Sequence, residues 1–119
     1  MSQNFQPGDF LIFQLESGYA LLRLLAMDDA DGARLWHIAA YGDFFADVES
    51  AETAASDPKS LSIANPHIAL TNRAFESTQV ARISNLPLTD DELAPLVMWR
   101  NVPDREISDR SVRLMLGVR

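Results

Sequence analysis

The chain has no cysteine, a single lysine and only two histidines, and each scarcity removes a class of chemistry. Without thiols there are no disulfide staples, thiolate nucleophiles, iron–sulfur clusters or cysteine-ligated zinc sites. The five glycines, Gly8, Gly18, Gly32, Gly42 and Gly117, are scattered singly. No G-x-G-x-x-G, phosphate-binding loop or G-x-S-x-G elbow is therefore present, and the expectation is no cofactor and no catalytic residue. Long apolar runs are also missing: the longest, Tyr19 to Met27, is interrupted by Arg23 and falls well short of the ~20 residues that span a bilayer. With no basic-then-apolar leader, a cytoplasmic location is expected. Positive charge is scarce as well, 10 Lys/Arg against 17 Asp/Glu for a net −7, which disfavours DNA, RNA and anionic membranes as partners because these bind a basic footprint.

What is present suffices for one domain over residues 1–119, since 47% of the chain is apolar and 23% charged. The charge is uneven. Residues 1–57 carry ten acids and two bases, and residues 58–119 seven acids and eight bases, so the first half holds −8 and the second +1. Seven of those eight second-half bases are arginine, which suits planar, bidentate ion pairs better than a mobile lysine coat does.

Alternation of apolar residues predicts a strand from Phe10 to Leu15, a turn at Glu16-Ser17-Gly18, and a second strand from Tyr19 to Met27. Asp28-Asp29-Ala30-Asp31-Gly32 reads as a turn and Arg34 to Tyr41 as a third strand, giving an antiparallel meander. In the stretch from Gly42 to Ser60, Val48, Ala51 and Ala55 stand at helical spacing, so a short helix or a semi-ordered excursion is expected. Asn65-Pro66 reads as a break, Gln79 to Ile83 as a strand, and Val112, Leu114 and Leu116 as a last strand. The clearest helix start is Leu88-Thr89-Asp90-Asp91-Glu92-Leu93, a capping box with a hydrophobic staple. Pro95 should shorten or kink that helix.

Three constellations invite a functional reading. His37 and His67 suggest a catalytic or metal pair, but no H-x-x-x-H spacing supports it, and each is expected to be a packed histidine. The aspartates from Asp28 to Asp31 resemble a calcium loop, yet counting from Asp29 places Ala33 and Ala40 at the fifth and twelfth ligand positions, so no metal is expected. Phe44 and Phe45 stand among acids, and either cap the core or form an aromatic anchor with a charged rim. Trp99 is expected in the core. The candidate partner-binding residues are Asp28, Asp29, Asp31, Asp43, Phe44, Phe45, Asp47, Glu49 and Glu52.

Two stretches together resemble the immunity protein 26 family of bacterial polymorphic toxin systems. Pro7-Gly8-Asp9-Phe10-Leu11-Ile12-Phe13 followed by Gly18-Tyr19-Ala20-Leu21-Leu22-Arg23-Leu24-Leu25 is similar to that family's Gly-Asp strand start and its Gly-Tyr hairpin with a central Arg. Ala81-Arg82-Ile83-Ser84-Asn85-Leu86-Pro87-Leu88, then Glu92-Leu93 and Pro95, is similar to its Asn-Leu-Pro-Leu approach to a short helix, with Ser84 where Gly is common. The resemblance covers roughly residues 7–40 and 80–100. It implies an α+β, β-rich fold: an antiparallel meander closing into a small, partly open SH3-like barrel with one or two short helices. The implied function is a non-enzymatic immunity protein that binds and neutralises a toxin. An acidic first half suits a basic protein partner through complementary charge. The alternative expectation is an assembly subunit of a homo- or hetero-oligomer, because both faces of the first hairpin are apolar.

Overall fold

A computed structural model describes residues 4–30 and 32–116. Five strands form one antiparallel sheet: β1 (Asp9–Leu15), β2 (Gly18–Ala30), β3 (Ala33–Phe45), β4 (Ile63–Thr71) and β5 (Ala81–Asn85). Their order is β4-β3-β2-β1-β5, a four-strand meander whose fifth strand returns to the open side of β1. The helices are α1 (Val48–Ala55), α2 (Asn72–Thr78), α3 (Asp90–Arg100) and α4 (Val112–Met115). The fold is α+β and sheet-rich.

Both faces of the sheet are covered, which is why β1 and β2 are apolar on both sides. One face sets Leu11, Phe13, Leu22, Leu24, Trp36, Ile38, Ile68 and Leu70 against Ala74 and Phe75 of α2 and Val112 of α4. Phe75 stacks on Trp36 at 3.9 Å with the rings nearly parallel, and the Trp36 indole N–H donates to Asn72 Oδ1 at 2.9 Å. The opposite face has two clusters. Phe10, Ile12, Leu21 and Tyr41 pack under Ala51 and Ala55 of α1, and Leu25 and Ala39 pack under Leu96 of α3. Complete burial stabilises by about 1.5–3 kcal/mol per large side chain, so these layers dominate the energetics.

A register shift between Leu24 and Ala26 decides which side chains of β2 face α3. It flips the alternation of the strand, so that even-numbered Ala26 and Asp28 share the face of odd-numbered Arg23 and Leu25, opposite His37 and Leu35.

Several expectations are corrected. Among the described residues four α-helices and a 3-10 turn at Pro58–Ser60 form, rather than one or two helices. The last segment is helical because Val112 and Leu116 stand four apart, so that the first residue of α4 and its C-cap both meet the core while Leu114 points to solvent. Spacings of two and of four both select Val112 and Leu116, so alternation alone misleads there. α2 carries too few apolar residues for a periodic signal and is set by its Thr71 cap, which accepts from the Ala74 N–H, and by the Phe75–Trp36 stack. Asn65-Pro66 does not break β4, because β4 lies at the sheet edge, where proline's missing donor costs nothing. Neither does Pro95 end α3, which runs through to Arg100. Finally, β2 and β3 extend through Ala30 and Phe45, so Asp28, Asp29, Phe44 and Phe45 are strand residues rather than loop residues.

Candidate functional site

The face of the sheet that meets α1 and α3 carries two buried polar networks, both reaching α3. The first centres on Arg23 of β2, 1% exposed. Its guanidinium lies 4.0 Å over the Phe10 ring, donates from Nη1 to the Gly8 carbonyl at 2.6 Å and from Nη2 to the Pro87 carbonyl at 3.2 Å, and pairs with Glu92 of α3 through Nε at 3.1 Å. Burial pushes the Glu92 carboxyl up, but hydrogen bonds from Thr89 and the Arg23 cation together hold it below its ordinary value. Nearby, burial raises the Tyr41 phenol to about 12, against the pull of Arg23.

Gly8 and Asp9 complete this network. Gly8 has φ +94, and a Cβ there would meet the Leu86 carbonyl oxygen at 2.5 Å. Buried Asp9 accepts from the Gln6 N–H and from Asn85 Nδ2, each at 2.7 Å. Gly8, Asp9, Arg23, Asn85, Pro87 and Glu92, drawn from both stretches of the motif, thus hold one another.

The second network joins three strands to the other end of α3. His37 of β3 is fully buried, and its Nε2 lies 2.8 Å from Asp28 Oδ2 of β2. Its Nδ1 lies 3.0 Å from Nε2 of His67 on β4. Arg100 of α3 donates to Asp28 Oδ1 at 2.7 Å, and the Trp99 ring sits 4.9 Å from His37 and 5.4 Å from His67. Asp28 accepts the Nε2 proton of His37, leaving the His37 Nδ1 lone pair to accept from His67 Nε2–H. Burial lowers His37 against the opposing pull of Asp28. Burial, with His37 and Arg100 adding to it, lowers His67 to about 4. Each histidine is packed, as expected singly; the two also pair across 30 residues of sequence, which no motif spacing signals, and Asp28 joins them. Among the described residues no group of three or more His, Cys, Asp or Glu is gathered to hold a metal.

The predicted partner-binding residues are divided among separate places. Asp28 is committed to His37 and Arg100, and Asp29 pairs with Arg34 on the other face at 3.0 Å. From Leu35, opposite Asp28, to Asp43 β3 runs eight residues, about 25 Å at the rise of a strand. Asp43 accepts from the Ser62 N–H at 2.6 Å, and Asp47 caps α1 through the Ser50 N–H at 2.7 Å. That bond holds the Asp47 carboxyl below the usual carboxylate range. Glu49 and Glu52 stand exposed on the outer side of α1. Phe45 packs under α1 with Phe10 and Tyr41, whereas Phe44 points to the opposite face and is 54% exposed. The two phenylalanines border a small open depression of about 360 Å³ with Leu15 and Glu16. Asp31 lies outside the described residues. Trp99 packs against the cluster of Leu25, Ala39 and Leu96, as expected.

A larger open groove of about 980 Å³ runs past Phe5, Arg34, Asn72 and Gln79 on the α2 side of the sheet, the side opposite both networks. Among the described residues no helix is long and apolar enough to cross a membrane. Comparison of the chain with protein-family models, curated proteins and solved structures returned no match.

Proposed function

We propose that this chain is a non-enzymatic, cytoplasmic binding protein of the immunity type, and that the acidic α1 end of its sheet docks onto a basic toxin partner. One observation carries the reading: Asp43, Asp47, Glu49 and Glu52 share one end and one side of the sheet, and among the described residues none of them has a cationic partner. Asp28, Asp29, Glu92 and Asp109 are by contrast all matched with arginine. Unmatched carboxylates gathered at one end of a sheet attract a basic surface and steer its approach. The binding surface is accordingly redrawn: Asp28, Asp29 and Phe45 leave it, and Phe44 borders it from the other face. A partly open SH3-like barrel belongs to the same proposal, since long strands with bulges, such as the 13-residue β2 and β3, favour coiling and the fifth strand returns to β1.

The test is affinity capture from the native host at low and high salt, followed by expression of any captured basic protein alone and with this chain. Salt-sensitive capture, toxicity relieved by co-expression, and loss of both in the Glu49→Gln/Glu52→Gln variant is the expected result. Capture that ignores salt and these two charges, or a captured protein that is harmless alone, overturns the reading.

A second reading, an assembly subunit, draws on α3: Val97 is 52% and Met98 70% exposed, and Val102 follows them into solvent. The apolar hairpin no longer favours it, since helices cover both faces. Sedimentation distinguishes the two, a concentration-dependent dimer lost in Met98→Glu being the signature of assembly.

A further inference from the structure

We infer that His37 and His67, with Asp28 and Arg100, form a proton-operated latch that holds the C-terminal half of α3 on the sheet and releases it on acidification. Such a latch would operate whether or not α1 docks onto a toxin.

Charge balance in a confined place decides its behaviour. With both imidazoles neutral, one carboxylate, Asp28, faces one permanent cation, Arg100, and the cluster is balanced. The titratable and charged groups facing the pair are Asp28 from β2, the histidines themselves from β3 and β4, and Arg100 from α3. Beyond Trp99, Arg105 stacks at 5.1 Å. No second carboxylate is paired with the histidines among the described residues. A first proton therefore leaves an uncompensated cation beside Arg100, and a second turns both facing nitrogens into donors. Two donors 3.0 Å apart repel, and the bond between the strands is lost.

The strands cannot readily yield, because His37 is fully buried among ladder-paired residues. α3 can. Its first turn is secured separately by the Thr89–Glu92 capping box and by Arg23, while Trp99 and Arg100 carry its last turn onto the histidines. Between the two anchors sits Pro95, which has no N–H to give the helix and so supplies a weak point at which one half can leave while the other stays. Departure admits water to both imidazoles and uncovers Leu96 and Trp99 beside the already exposed Val97 and Met98.

A histidine whose value is lower when packed than when free stabilises the packed form above its free value, and that preference is lost as pH falls below it. Between the ordinary 6.5 and the packed value of about 4, the released state of His67 holds a proton that the latched state does not. The opening equilibrium should rise about 20-fold from pH 7 to pH 5.

Amide hydrogen exchange of the full chain, corrected for intrinsic rates, tests this at pH 7, 6 and 5, with imidazole resonances followed in parallel. The expected result is that residues 96–100 lose protection about 20-fold over this range while β1 to β3 keep theirs, and that the imidazoles titrate together with that loss. His67→Gln, at a half-buried position, should remove the roughly 20-fold share that His67 contributes and leave only the response of His37, with the fold intact, and His67→Asn serves as a second variant. Equal loss of protection in α3 and the sheet, imidazoles that titrate without any change in α3, or an unchanged pH dependence in the folded His67 variants overturns the latch.

Discussion

The Arg23 and His37 networks lie on the same face of the same sheet and clamp the same helix, yet they are built from bases of different kinds. A guanidinium keeps its charge across the ordinary pH range, and the partners of Arg23 are one carboxylate and two carbonyls that need nothing else. The His37 network holds only while its imidazoles remain neutral. The two should therefore fail in different pH windows. Glu92 sits below its ordinary 4.5, so its contribution is present above that value and is lost only as pH falls through the lower, folded one. His67 begins to work against the fold as soon as pH drops below 6.5. Acidification should thus free the end of α3 before its beginning. A buried charge pair and a buried imidazole pair, geometrically similar, make a fixed clamp and a conditional one.

The largest effect expected from breaking this contrast is at Arg23. Arg23→Ala strands Glu92 and the carbonyls of Gly8 and Pro87 and should cost about 3–5 kcal/mol in urea unfolding; a cost below about 1 kcal/mol would mean that the network is not a clamp. Gly8→Ala attacks the same network through the backbone, combining a left-handed φ with a close approach to Leu86, and should cost about 2–3 kcal/mol. Thr89→Ala removes the cap that orients Glu92 and should cost about 1 kcal/mol, detected chiefly as faster exchange at the start of α3. The smallest effect concerns Ser84, whose buried hydroxyl has no partner among the described residues. Ser84→Ala should be neutral or stabilising by up to about 1 kcal/mol, and a clear loss would point to a bridging water.

Much of the scaffold is legible from local rules. The first hairpin, the third strand, the Val48/Ala51/Ala55 face of α1 and the Thr89–Glu92 capping box all follow from periodicity or from hydrogen bonds within four residues. α2 and α4 are not legible, because their helicity depends on Phe75 meeting Trp36 and on Val112 and Leu116 meeting the sheet. The candidate surface was legible as charge but not as geometry. Fifteen positions separate Asp28 from Asp43 in the chain, and the length of β3 places them at opposite ends of the sheet.

By itself the sequence determined the lack of any thiol chemistry, the antiparallel meander and the acidic bias of the first half, because composition and alternation are local properties. Tertiary structure alone decided the faces. A one-residue shift near Leu24 turned Asp28 inward to His37, and the pairing of β3 with β4 brought His67 to meet it. Register is a relation between strands, and a single sequence states it nowhere. That is why an aspartate expected at a binding surface is instead bound to a histidine that was expected to be merely packed.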